Sequence, residues 1–393
     1  MKIVIFGLSI TSSWGNGHAT TYRALARALQ ARGHHIVFFE REQEWYASNR
    51  DMPHPPFCRL HIYENWNEIL PLVRRELADN EVAIVGSYFP DGLRAIEEMF
   101  DSLAEVKAFY DIDTPITVAG LRNGGTAYLK PEYVEGFDLY LSFTGGPLLS
   151  ELESSFGARN AVPLYCSFDP DSYRYCAMQS DYVCDLSYMG TYAADRQAKI
   201  EGLFCAPARR LPEEKFLLAG PQYPKELTWP ENVRRIVHVE PRLHPPFYCS
   251  SRLTLNVTRK EMVAAGYSPS VRLFEAAGCG ATIVSDWWSG LDTFLTPGDE
   301  ILLANSSDDI IRYMTGMDAD EIKRIGRHAQ QRVIAEHSAE CRAVEFEEHV
   351  ADTRMAGSRF SARRGAKITA ESPGSSAVNI FSRLTPGYFK LPR

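Results

Sequence analysis

Apolar and polar positions alternate along this chain in two recurring patterns. "KIVIFGL" is a short apolar run that reads as a buried strand. "SITSSWGNGH" is a glycine- and serine-rich loop, and "ATTYRALARALQARG" then places apolar residues at helical spacing, with Gly33 as its stop. "HHIVFFE" is the next strand, which completes a βαβ unit with a right-handed crossover and a parallel sheet. The alternation continues through the strands "EVAIVGSY", "VKAFYDID", "LYLSFTGG" and "AVPLYCSFDP" and the helices "GLRAIEEMFDSLA" and "GPLLSELESSFG". The stretch "REQEWYASNRDMPHPPFCRLHIYENWNE" at 41–68 is aromatic-rich and irregular, either a binding lid or a packed insertion.

"DPDSYRYCAMQSDYVCDL" has no period and reads as a linker. A second series follows: strands in "DLSYMGTY", "KFLLAG", "RRIVHVE", "SRLTLNVT", "ATIVSD" and "DEILLAN", with the helix "ADRQAKIEGLFCAPA" and further helices over 308–316 and 318–354. Two doubly wound, Rossmann-like α/β domains facing a central cleft fit this order. The expected division is 1–175, 176–335, a helix at 336–356 returning to the first domain, and a tail at 357–393. That tail is rich in Ser, Gly, Arg and Pro and reads as mobile, or as an arm for a partner.

A length of 393 residues, 45% of them hydrophobic, suits two cores rather than one. The net charge of −8 argues against general nucleic-acid binding. The eight cysteines form no C-x-x-C pair and no metal-like cluster, which points to reduced thiols in a cytoplasmic protein. No apolar run is long enough for a membrane span, which leaves peripheral membrane contact open.

In doubly wound sheets, ligands bind at the carboxyl ends of the strands, where helix N-termini attract anions. Three loops have that chemistry. In "SSWGNGH", Gly15 and Gly17 let backbone approach a ligand and His18 opens the helix. "MGTYAADR" repeats the arrangement with Gly190 and Arg196, which is either a diphosphate ligand or a surface arginine. In "GYSPSVRLFEAAGCGATIVSD", Ser268, Pro269 and Ser270 form a cap, and the N–H groups of Val271 and Arg272 point outward. Glu275 lies a turn further on, among apolar neighbours, either gripping ribose hydroxyls or paired with Arg272.

A dinucleotide site is the competing reading, because Glu40 ends the second strand where a ribose-binding acid sits. The loop departs from G-x-G-x-x-G, since Gly7 lies eight residues before Gly15.

The run "NVTRKEMVAAGYSPSVRLFEAAGCGATIVSDWWSGLDTFLTPGDEILL", with "DLSYMGTYAADR", "FYDIDTP" and "HSAECRAVEFEEHV" in order around it, resembles the CgeB-like glycosyltransferases of the GT-B fold. The resemblance implies that a nucleotide-diphosphate sugar binds mainly to the second domain, with no cofactor and no obligatory metal, and that transfer retains the anomeric configuration. Glu275 matches the second glutamate of the E-x7-E motif of related family 4 enzymes. Tyr267 stands where the first would be, a departure that bears on the sugar contact. Arg196, Arg259 and Lys260 are then the basic residues for the diphosphate, and His238 lies at a strand end where the base is held.

For the acceptor side, His18, Asp111 and Asp113 are the candidates. The two acids, spaced two apart after a strand, are expected to face one side. They are equally suited to capping the turn before Pro115. Trp287 and Trp288 either stack on a sugar or fill an interface. The acceptor is a glycan, a protein, a lipid-linked sugar or a small metabolite. The competing functions are a sugar-nucleotide epimerase of the same fold and a non-catalytic nucleotide-sugar-binding protein.

Overall fold

The computed structural model of the chain describes residues 1–15 and 17–370, with side chains described as far as residue 356. Strands β1 (Lys2–Phe6), β2 (His35–Arg41), β3 (Arg59–Tyr63), β4 (Val82–Gly86), β5 (Val106–Asp111), β6 (Leu139–Ser142) and β7 (Ala161–Pro163) form one sheet in the order 3-2-1-4-5-6-7. Strands β8 (Cys184–Met189), β9 (Phe216–Ala219), β10 (Val233–Ile236), β11 (Ser251–Asn256), β12 (Ile283–Ser285) and β13 (Leu302–Leu303) form a second, in the order 10-9-8-11-12-13. Every pairing in both sheets is parallel.

These strands are near-continuous apolar runs because both faces are buried. Along β1, Ile3 and Ile5 enter one core while Val4 and Phe6 enter another on the opposite face. The core holding Ile3 and Ile5 also holds Phe274, Trp288 and Phe346, so it runs unbroken from the first sheet to the second. A third core covers the outer face of the second sheet.

The order of strands reverses between β1 and β4 and again between β8 and β11. At such a switch point the loops diverge and leave a crevice. The loops after β1 and β8 at these two points, with those after β9 and β10, line the site.

Two segments differ from the pattern-based reading. Within 41–68 lies β3, the edge strand of the first sheet, paired in register with β2 from Val37↔Arg59 to Arg41↔Tyr63. In the segment 357–393, the helix Ala339–Ala370 continues as far as Ala370, and 371–393 lie outside the described residues. Nearer its start this helix contacts the first sheet's layer. Glu347 takes both Arg32 and His34, and the His349 ring donates to the carbonyl of Pro163 at 3.2 Å.

The halves also meet at 144–146 and 267–269. Gly145 N–H donates to the Tyr267 carbonyl at 2.9 Å, and the hydroxyls of Thr144 and Ser268 bond at 2.8 Å.

Candidate functional site

A cavity of about 260 Å³ opens where the first loop of each half meets the helix Val271–Gly278. Gly15, Gly17, Gly190, Arg196, His238, Val271, Arg272 and Glu275 all line it, which is eight of the twelve donor-side residues expected from sequence. Ser13 and Thr20 join from the first half, and Gly220, Val239, His244 and Tyr248 from the second.

Arg272 and Arg196 give the cavity its charge. Arg272 donates from Nε to the Met189 carbonyl at 2.5 Å and from Nη1 to Asn256 Oδ1 at 2.8 Å, and it lies over the Tyr188 ring at 5.2 Å. Arg196 donates to the Thr191 carbonyl, and its Nε is buried without a hydrogen-bond partner among the described residues. Among the described residues neither guanidinium has a carboxylate in salt-bridge range, and no ion pair joins Arg272 to Glu275. Burial, with the charge of Arg272 nearby, lowers the Arg196 pKa from its ordinary value. Two cations held this close without a counter-ion favour an anion between them.

Gly190 makes that closeness possible. A Cβ there would lie 2.7 Å from the Tyr188 hydroxyl and 2.8 Å from Arg272 Nη2. The helix Val271–Gly278 presents its N-terminus to the same cavity. Ser270 occupies the N-cap position, but its hydroxyl donates to Asn256 Oδ1 at 3.0 Å and does not cap. The Leu273 N–H bonds the Ser270 carbonyl at 3.0 Å, which leaves the N–H groups of Val271 and Arg272 for a ligand.

Glu275 is only 5% exposed. Burial pushes its carboxyl up to about 7, against the Tyr173 hydroxyl and Arg272, which favour the anion. Tyr173 also bonds His244 Nδ1 at 3.1 Å, and His244 Nε2 donates to the Val239 carbonyl at 3.2 Å. A polar chain thus runs from the Glu275 carboxyl to the end of the segment after β10.

Four donor-side candidates do not line this cavity. Ser268 spends its hydroxyl on Thr144, and Ser270 on Asn256. Lys260 is exposed and away from the cavity, with its backbone N–H on Asp195 Oδ2 at 3.0 Å. Arg259 lies 3.5 Å from the same carboxylate and lines a separate small cavity with Asp113 and Ser268.

On the first-half side, His18 Nε2 donates to Asp113 Oδ2 at 3.0 Å. Its Nδ1 is enclosed with no hydrogen-bond partner among the described residues, so that nitrogen keeps its lone pair. Asp113 does not cap its helix with its side chain. Asp111 does not share its side. Fully buried, it accepts from Tyr140 at 2.7 Å and Thr117 at 2.7 Å, and burial pushes its carboxyl up to about 7. The strand ends at Asp111, so the two-residue spacing no longer fixes a common face.

Tyr88 was not visible from the sequence. It follows β4 at the first switch point with φ +60°, a costly conformation for a residue of its bulk. It is 39% exposed, edge-on to His18 at 5.7 Å and packed on Tyr128 at 4.9 Å. Burial, then the charges of Asp113 and Asp111, push its hydroxyl up to about 12, with Arg259 opposing. His18, Tyr88, Asp113 and Arg259 thus surround one spot.

Glu40 closes the dinucleotide reading. It is fully buried and accepts from Ile10 N at 2.7 Å, Thr11 N at 3.0 Å, Thr11 Oγ1 at 2.6 Å and Ser9 Oγ at 3.0 Å. The acid that would hold a ribose instead braces the first loop from within. Of the tryptophans, Trp288 is buried against Phe294 and Trp287 is 44% exposed.

A larger cavity of about 750 Å³ shares Thr20, Pro241 and Glu275 with the first. Its arginines are all paired: Arg23 with Asp51, Arg27 with Asp169, Arg242 with Glu240. It therefore lacks the free charge that marks the smaller one.

Residues 196–348 match a family model described as glycosyl transferase-like. No curated protein matches the chain. Among solved structures it is similar to sucrose-phosphate synthase from Thermosynechococcus elongatus, at 13% identity and TM-score 0.64, covering 92% of this chain and 100% of that one. It is also similar to Anabaena HepE in complex with UDP-glucose, at 13% identity and TM-score 0.63, covering 90% and 100%. The E. coli trehalose-6-phosphate structure bound with UDP-2-fluoro glucose follows at 13% identity and TM-score 0.60, covering 90% and 99%. The fold is GT-B: two parallel Rossmann-like sheets with their switch points turned to one site.

Proposed function

We propose that the protein is a CgeB-like glycosyltransferase that moves a hexose from a nucleoside-diphosphate sugar to a hydroxyl acceptor. The observation that carries this reading is the pair of half-buried arginines, Arg196 and Arg272, without a carboxylate partner among the described residues, in a cavity that also holds Glu275. The diphosphate lies between the guanidiniums and the N-terminus of Val271–Gly278, and the ribose hydroxyls bond Glu275. The base lies against the segment around His238 and Val239. Two fixed cations and a helix N-terminus stabilise the charge that develops on the leaving diphosphate, the task a metal ion performs in other transferases.

The acceptor hydroxyl meets the exposed Asp113 carboxylate, which His18 Nε2 holds from the interior, with Tyr88 and Arg259 beside it. Asp111 positions this group through the Asp113 N–H, 3.3 Å from its carboxylate. The anomer of the product, read by proton NMR, decides which group takes the acceptor proton. Retention, which the resemblance implies, assigns it to the leaving diphosphate, and inversion assigns it to the Asp113 carboxylate backed by His18.

UDP heads the list of donors because structures similar to this one contain UDP-glucose and UDP-2-fluoro glucose. The test is a thermal-shift screen of UDP-, GDP-, TDP- and ADP-sugars on the wild type and on Arg272→Ala. One nucleotide series should raise the melting temperature of the wild type and leave the variant unmoved. No shift with any nucleotide sugar would overturn the proposal.

A further inference from the structure

Outside this site, three thiols far apart in sequence meet at one point. Cys249 Sγ lies 3.3 Å from the backbone nitrogen of Cys176, which donates to it, and 3.5 Å from the Cys279 carbonyl. The Cys279 and Cys176 side chains are both hydrogen-bonding neighbours of the Cys249 sulfur. Cys176 and Cys249 are half-buried, within reach of a small oxidant, while Cys279 is enclosed.

We propose that Cys249 and Cys176 are an oxidation site, in which hydrogen peroxide converts Cys249 to a sulfenic acid and Cys176 resolves it to a disulfide. In the first step the Cys249 thiolate attacks a peroxide oxygen. An S–O bond forms, the O–O bond breaks and hydroxide leaves as water. In the second step the Cys176 sulfur attacks the Cys249 sulfur. The S–S bond forms, the S–O bond breaks, and a second water leaves with the Cys176 proton. Two thiols and one peroxide give one disulfide and two waters.

The surroundings select Cys249 as the attacking sulfur. Hydrogen bonds from Cys279 and from Cys176, backbone and side chain, outweigh burial and lower its thiol to about 6. Burial instead raises the thiols of Cys58, Cys166, Cys184 and Cys205. Thiolate character and access together decide which cysteine oxidises first.

The location gives the bond a consequence. Cys249 ends the helix His244–Cys249, which brings His244 and Tyr248 to the donor cavity. Cys176 follows three residues after Tyr173, which bonds both His244 and Glu275. Oxidation removes the thiol proton that Cys249 donates to the Cys279 carbonyl, at the end of the helix bearing Arg272 and Glu275, and ties this helix end to the segment of Tyr173. Oxidation therefore weakens donor binding, a consequence that rests on the donor reading above, whereas the thiol chemistry does not.

The experiment treats the full chain with equimolar hydrogen peroxide, blocks free thiols with N-ethylmaleimide and maps peptides by mass spectrometry. UDP affinity is measured by calorimetry before and after. The expected result is a dithiothreitol-reversible Cys176–Cys249 link and a UDP affinity reduced at least fivefold. Cys176→Ser, or Cys176→Ala should that variant fold poorly, should trap sulfenic acid on Cys249. Full alkylation of both cysteines after peroxide overturns the site. A mapped disulfide with unchanged UDP affinity overturns its effect on the donor. A disulfide in a protein that binds no UDP even when reduced leaves the oxidation site standing and removes the donor reading.

Discussion

Arg272 spends its hydrogen bonds on a carbonyl and an amide oxygen and none on a carboxylate, so its charge is available to a ligand. Arg272→Met should lower UDP affinity ten- to a hundredfold in calorimetry, while thermal stability without ligand changes little, because no ion pair is broken. Glu275 adds a pH dependence. Its carboxyl, raised to about 7 by burial, is protonated below that pH and cannot accept both ribose hydroxyls. UDP binding should therefore strengthen as pH rises from 6 to 8, and Glu275→Gln should abolish the slope. His18→Ala should lower kcat by a factor of roughly 10² to 10⁴, the usual scale for a group acting on the acceptor proton, here through Asp113, with UDP affinity within twofold of wild type. Arg272 and Glu275 were legible in the sequence because cap, proline, charge and glycines stand in one short run. Tyr88 was not, because its mark is a backbone angle, and Asp111 and Asp113 were misjudged because the strand ends between them.

The loop-bearing elements depend on close backbone approaches. Tyr267 sits at φ +46° with its ring against two glycines; a Cβ on Gly146, itself at φ +63°, would come within 2.4 Å of that ring. Gly146→Ala should destabilise the fold by about 2 kcal/mol or more in urea unfolding, from strain and overlap together. Where sequence comparison leaves Tyr267 as a missing glutamate, the structure gives it a packing role between the halves. Most strands were legible because both faces are buried and the apolar runs are unbroken. The edge strand β3 was not: Arg59 and His61 alternate with apolar residues over five positions, and the surrounding 41–68 segment carries turn residues. The helix Trp66–Ala78 was hidden by Pro71 within it.

At the scale of the molecule, buried acids set the response to pH. Asp111 and Glu275 both have folded-state values near 7, above those of an unfolded chain, so their contribution is full below about pH 4 and is lost as pH rises through 7. Asp51 and Glu347 are held down near 2, Asp51 by Arg23 against its burial and Glu347 by Arg32 and His34, and their contribution is lost as pH falls toward that value. Urea unfolding should show greatest stability near pH 4, with a decline of several kcal/mol by pH 8 that Asp111→Asn roughly halves. The two halves repeat one strand order, and a ligand meeting such a near-duplicate could settle in either of two opposite orientations. Glu40 removes the choice. With its capacity absorbed by Ser9, Ile10 and Thr11, Glu40 offers a ribose nothing, so under the proposed reading the molecule is polar in the sense a one-way valve is: a nucleotide has one of the two halves to settle in.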